Sequence, residues 1–183
     1  MSKTSSGNFF EDYRVGQTIA HAVPRTVTEG DRALYTALYP TRFAVYSSDE
    51  FARASGLARS PIEDLAAFHI VFGKTVPDIS LNAVANLGYA EARFLAPVYP
   101  GDTLNSVSEV IGLRENSNGA SGVVWVRSTG FNQHGAPVLS YVRWVMVRKR
   151  DRAAVAPEPV VPNLAPALTA ADLAIPAGLD FSS

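Results

Sequence analysis

The stretch LAAFHIVFGK, residues 65–74, constrains the fold of this chain more than any other. At helical spacing it puts apolar side chains on nearly every face, and a helix without a polar stripe belongs inside a fold, wrapped by other structure. Its start reads as SPIED, with Ser60 as the cap, Pro61 at the first helical position and Glu63 reaching back to the cap amide. The wrapping must come from the segments C-terminal to it. NAVANLGYAEARFLAPV, residues 82–98, reads as a long strand with an irregularity at Gly88. The turn YPGD leads to TLNSVSEVIGLRE, NSNG turns the chain into ASGVVWVRSTGFNQ, and HGA turns it again into PVLSYVRWVMVRKR. Long strands joined by hairpin-sized connections make an antiparallel meander. The expected class is α+β, one long central helix wrapped by a curved antiparallel sheet, with a sheet face or edge left for a partner to cover.

Upstream, IAHAVPRTV at 19–27 reads as a strand in which Pro24 asks for an edge position or a bulge. Thr28, with Asp31 three residues later, caps a helix through RALYTALY that Pro40 stops. YPTRFAVYSS then reads as a polar loop, and SSDEFARASG as one or two helical turns opened by Ser47 or Ser48 and closed by Gly56. From Asp151 the composition turns to Pro and Ala, which reads as a linker or an extended arm with at most one short turn near TAADL.

A chain of 183 residues has room for one sizeable core. A formal net charge of -1 with mixed signs sets up no field for nucleic acid or an anionic membrane. The absence of cysteine excludes disulfides, thiolate nucleophiles and cysteine metal sites together. His21, His69 and His134 lie far apart in sequence and give a metal site little support. No apolar run is long enough to span a bilayer, and MSKTSSGNFFEDYRVGQ has no signal-like apolar core, so a soluble cytoplasmic protein is expected.

FFEDYRVGQTIAHAVPRTVTEGD, then FARA, then RFLAPVYPGDTL and the meander, resemble the MaoC-like hydratase branch of the hot-dog superfamily. More closely, NFFEDYRVGQTI, FHIVFGKTVPDISLNAVANLGYAEARF and YVRWVMVRKR resemble the first half of mesaconyl-CoA hydratases, also called beta-methylmalyl-CoA dehydratases, over nearly the whole chain. The resemblance implies a hot-dog domain at 1–150 and, at 151–183, a linker or arm toward a missing or separate second domain. It implies reversible hydration of a branched unsaturated C4 dicarboxylic acyl thioester, with no metal or redox cofactor and with coenzyme A present only as part of the substrate. The implied partners are that acyl-CoA and a second hot-dog domain, or a second copy joined through the sheet. The alternative is a catalytically inactive hot-dog protein that binds acyl-CoA or a partner as a dimer.

Active MaoC-like domains carry an Asp and a His in the loop after the first helix. Anchoring on Phe51 and Ala52 puts Thr41 in place of the aspartate and Tyr46 in place of the histidine. Hydration needs groups that trade protons with a water near neutral pH, whereas a phenol with a pKa of about 10 would need roughly 4 kcal/mol to serve as a base at pH 7. The family's glycine at the entry to the central helix falls near Ile62 or Glu63, where a carboxylate would oppose a developing oxyanion. The catalytic pair is therefore read as degenerate.

Tyr46 and Thr41 can still orient a water or bind a substrate carboxylate beside Arg42. Asp31 reads as a capping residue and His69 as a neutral core histidine. Lys74 is a last-turn charge or a ligand contact. Asn82 and Asn86 either pin a strand turn or line a pocket, and Arg93 faces away from Phe94 toward solvent or a partner sheet. Arg148, Lys149, Arg150 and Arg152 read as a solvated strand end or as contacts to coenzyme A phosphates.

Overall fold

Strand pairing organises the structure, a computed structural model that describes residues 6–172. In chain order the strands are β1 (Thr18–Ala20), β2 (Arg25–Thr26), β3 (Ala83–Phe94), β4 (Thr103–Glu115), β5 (Ser121–Phe131) and β6 (Pro137–Arg148). The antiparallel sheet runs β1-β4-β5-β6-β3, with β2 also on β4, so the long strand after the central helix forms one edge. Its register shifts at three places, one of them spanning Gly88, as the sequence leads one to expect. The β5–β6 hairpin shows its chemistry plainly: Asn132 Oδ1 accepts from the amides of His134 and Ala136, each at 3.0 Å, and Gly135 takes the left-handed conformation at φ 76°.

Residues 19–27 form two short strands on β4 rather than one, with Pro24 in the break beside Val23 at φ 68°. The helices are α1 (Glu29–Leu38), α2 (Ala44–Ser47), α3 (Asp49–Ala54) and α4 (Asp64–Thr75), and a π turn, Val76–Ser80, leads from α4 into β3. Thr28 and Asp31 form the reciprocal cap of α1, and Ser48 caps α3. The supposed polar loop contains the helical turn α2. The central helix begins at Asp64, not behind a Ser60 cap, because the Ser60 amide donates to Asp49 Oδ1 (3.0 Å) and the Ile62 amide to the Val98 carbonyl (2.8 Å), which holds 60–63 extended.

The helix-facing side of the sheet carries two apolar clusters. Ala66, Ala67 and Val71 of α4 pack with Ile62, Leu104 and Leu139, while Phe10, Tyr13 and Ile79 cover Val110, Val124, Val145 and Val147. Gly130 sets the approach of α4, since a Cβ there would lie 2.7 Å from Val71 Cγ2. Only one side of α4 is wrapped in this way. Leu65 is 54% exposed, Phe68 and Phe72 are half-buried, and His69 is exposed beside the Tyr35 ring rather than held in the core. Among the described residues, the outer side of the central helix is apolar and uncovered.

After β6 the chain runs extended. Val160 and Leu113 exchange backbone hydrogen bonds of 2.8 Å, Pro162 lies against Gly112, and a 3₁₀ turn, Ala170–Asp172, meets β3. The end of the TAADL stretch, from Leu173, lies outside the described residues.

Candidate functional site

Tyr46 sits on α2, a single turn without a side-chain cap, and Thr41 Oγ1 accepts from the Phe43 amide at 3.1 Å just before it. This turn carries the phenol to the start of α4. There the Tyr46 hydroxyl neighbours the Asp64 carboxyl, and both residues line one groove. Burial, then the neighbouring carboxylates of Asp64 and Glu63, push the phenol pKa well above its ordinary value. Burial, reinforced by Glu63, also raises the Asp64 carboxyl, and the bond from Tyr46 only partly offsets this. Phe43, Val45, Tyr46, Glu63, Asp64 and Leu65 line an open groove of about 260 Å³.

Asp64 adds a titratable group to the site that Thr41 and Tyr46 mark in the sequence. It also holds the position where a carboxylate opposes an oxyanion, one or two residues later than Ile62 or Glu63. The Ala66 and Ala67 amides are both directed at the Glu63 carbonyl, at 2.9 and 3.2 Å. The groups at this helix start therefore serve the protein itself. A neutral phenol and one carboxyl can hold a proton between them, but no imidazole joins them to form the pair that hydration requires.

The other candidates disperse. Arg42 is exposed. Lys74 Nζ donates to the Val23 carbonyl, tying down the residue in the left-handed conformation, and burial, then Arg25, lowers its pKa. Asn82 Nδ2 donates to the carbonyls of Ser6 (2.9 Å) and Asn8 (3.2 Å), pinning the N-terminal segment, whereas Asn86 is exposed and is not a buried amide. Arg93 turns to Asp172 in the chain's own arm, at 3.2 Å from Oδ1. Lys149 pairs with Glu115 (2.6 Å) and Arg150 with Asp12 (2.9 Å), while Arg148 and Arg152 line a shallow pocket.

Two buried polar features had no counterpart among the sequence candidates. His21 Nδ1 lies 2.7 Å from Asp78 Oδ2, its Nε2 lies 2.7 Å from Ser108 Oγ, and Ser108 is 2.7 Å from Ser128. The order Asp–His–Ser resembles a nucleophilic relay; Ser108 and Ser128 are both 0% exposed, and the network ties the residue after β1, the π turn and the sheet to one another. Arg143 is also 0% exposed. Its place was legible from strand parity, because in SYVRWVMV it alternates with Tyr141 and Val145, both core positions. Among the described residues, no group of His, Asp and Glu is placed to hold a metal ion, and no helix is long and apolar enough to cross a membrane.

Known proteins match this chain over nearly all of its length. The sequence model of the mesaconyl-CoA hydratase family covers residues 2–162. A mesaconyl-CoA hydratase of Cereibacter sphaeroides is 72% identical over 180 residues, which is 98% of this chain and 52% of the relative. A crystal structure of a MaoC domain protein dehydratase from Chloroflexus aurantiacus superposes with a TM-score of 0.91 at 64% identity, covering 96% of this chain and 50% of that one. A Mycobacterium tuberculosis protein described as a double hot-dog fold matches with a TM-score of 0.70 at 22% identity over 97% of this chain and 53% of its own, a likeness of fold alone. The chain spans about half the length of the curated relatives it matches. With a hot-dog sheet around α4 and this degree of identity from end to end, the chain belongs to the mesaconyl-CoA hydratase family.

Proposed function

We propose that this chain is the N-terminal hot-dog domain of a cytoplasmic enoyl-CoA hydratase that reversibly adds water to a branched unsaturated C4 dicarboxylyl-CoA such as mesaconyl-CoA. Residues 151–183 lead toward a second hot-dog domain, which pairs along β3 and the open side of α4 and brings the proton-transferring groups. This domain contributes sheet surface and part of the acyl pocket, and Arg148 and Arg152 are suited to coenzyme phosphates. One observation supports the reading: nearly all of this chain matches about half the length of its relatives, yet its loop holds Thr41 and Tyr46 where the family resemblance places the aspartate and histidine of hydration.

The test follows loss of the enoyl thioester absorbance of mesaconyl-CoA. The 183-residue chain alone is expected to give no turnover. Turnover is expected when a family C-terminal domain is supplied, and Tyr46→Phe is expected to leave it within about threefold, since the phenol is not asked to move a proton. Turnover by the chain alone that disappears with Tyr46→Phe or Asp64→Asn overturns the proposal. Binding of mesaconyl-CoA without turnover in either setting favours the non-catalytic acyl-CoA-binding dimer.

A further inference from the structure

Arg143 lies in the middle of β6 and faces the end of α4, in the polar gap between the two apolar clusters. Its Nη2 donates to Thr75 Oγ1 at 2.9 Å and to Ser80 Oγ at 3.4 Å, both uncharged acceptors. Among the described residues its Nε and Nη1 have no acceptor, and the neighbouring buried Tyr141 hydroxyl, near Ser128 and Thr75, has none at ordinary hydrogen-bond geometry. The phenols of Tyr141, Tyr89 and Tyr13 act on this guanidinium. The nearby Asp78 carboxylate is engaged with His21. A guanidinium keeps its charge in a protein, so burial with most of its donors unmet is costly unless an anion completes it.

The way in is short. Arg143 Cζ sits 4.5 Å from the centre of the Phe72 ring, and Phe72 is 6.2 Å from the ring of Tyr89, the cross-strand neighbour of Arg143 on edge strand β3. Phe72 is half-buried and Tyr89 is 45% exposed, so one layer of aromatic rings separates the guanidinium from the uncovered side of α4. A shift of Phe72 exchanges a cation–π contact for an anion in the same place. A small planar carboxylate in the place of the Phe72 ring would accept from the guanidinium and from the Tyr141 hydroxyl together.

We infer that Arg143, with Tyr141, is a recognition site for the free carboxylate of a short dicarboxylyl thioester, bound between the end of α4 and strands β6 and β3. The inference rests on the acyl-thioester reading above and adds what selects a dicarboxylic over a monocarboxylic acyl group.

The test uses two small unreactive probes that differ only in the free carboxylate, the succinyl and butyryl thioesters of N-acetylcysteamine. Their binding is followed through the arginine Nε–H signals of the isotope-labelled protein, with that of Arg143 identified by its loss in Arg143→Lys. The succinyl probe is expected to move the Arg143 signal saturably and to bind about tenfold or more tightly than the butyryl probe, the worth of one charge-assisted hydrogen bond. Arg143→Met is expected to abolish that preference and leave butyryl affinity unchanged. Should Arg143→Met fail to fold, Tyr141→Phe and the comparison of the two probes on the parent protein decide the matter. Equal affinities, or a succinyl preference that survives loss of the guanidinium, overturn the carboxylate site and leave the acyl-thioester reading intact. Failure of both probes to bind overturns that reading and this inference with it.

Discussion

The position of α4 on the sheet depends on a missing side chain, which can be tested by a double-mutant cycle. A Cβ added at Gly130 meets Val71 Cγ2 at 2.7 Å, Val71 Cγ1 at 3.2 Å and Leu139 Cγ at 3.4 Å, and both partner residues are in the core at 0% and 2% exposure. Gly130→Ala therefore overpacks a site with little freedom to yield, at a cost of about 1–3 kcal/mol. Val71→Ala removes two buried carbons and leaves a cavity, at a cost of about 2–3 kcal/mol, or roughly 4–12 °C in Tm for a chain of this length. If these atoms are in contact, the double variant puts the new methyl into the space the valine vacated, and it should be more stable than the sum of the two losses by about 1 kcal/mol or more. Urea unfolding of the four proteins at equal slope gives the coupling directly. Additivity to within about 0.5 kcal/mol would mean that the helix does not rest on Gly130, and the placement of Asp64 and Thr75 by this packing would fall with it.

Single groups give further expectations. Tyr46→Phe removes the bond that favours ionised Asp64, so the carboxyl, already raised by burial, should titrate higher still, and a 13C titration showing an unchanged or lower midpoint would refute the contact. Burial works against ionised Asp31, but the amide and hydroxyl of Thr28 and the Arg25 guanidinium outweigh it and hold the pKa below its ordinary value. Its contribution is thus present above the unfolded pKa, about 4, and is lost as pH falls through the lower folded one, so the loss of about 1 kcal/mol expected for Thr28→Ala at pH 7 should shrink in urea melts near pH 3. Asp78→Asn weakens a buried network and should cost about 3–5 kcal/mol, against about 1 kcal/mol for Ser128→Ala; equal effects would place the weight of that network on the hydroxyls.

What was legible in the sequence is what local chemistry decides. Thr28 with Asp31, Ser48 before α3 and Asn132 with Gly135 each satisfy nearby backbone groups, so their elements sit where the residues say. The strand run from 103 to 148 is fixed by turns of the same kind, and its alternation would also have placed Arg143 inward. Long-range bonds decided the rest. Ser60 resembles a helix cap, but its amide is committed to Asp49 and the next turn to Val98, so the helix starts later. His69 sits in an apolar run, yet hydropathy does not tell which sides of a helix its own chain covers. Tyr46 meets Asp64 only because the weakly signalled turn α2 and then α3 fold the chain back, and His21 meets Asp78 across 57 residues.

Helix α4 has a polar device at each end, and its length separates their roles. Asp64 and Thr75 are its first and last residues, and a rise of 1.5 Å per residue puts about 16 Å between the groove at Tyr46 and the guanidinium that bonds Thr75. A C4 acyl chain spans only a fraction of that length. If its free carboxylate is at Arg143, the carbons that react lie along the middle of the helix, beside Phe68 and Phe72, out of reach of Tyr46 and Asp64. Proton transfer must then reach those carbons from across the uncovered side of α4, where Leu65 is 54% exposed and a second domain would close the pocket. Substitutions at the two ends should accordingly separate: Arg143→Met changes the choice between succinyl and butyryl thioesters, and Asp64→Asn does not. A loss of succinyl preference in Asp64→Asn would place the acyl group at the wrong end of the helix and refute this division.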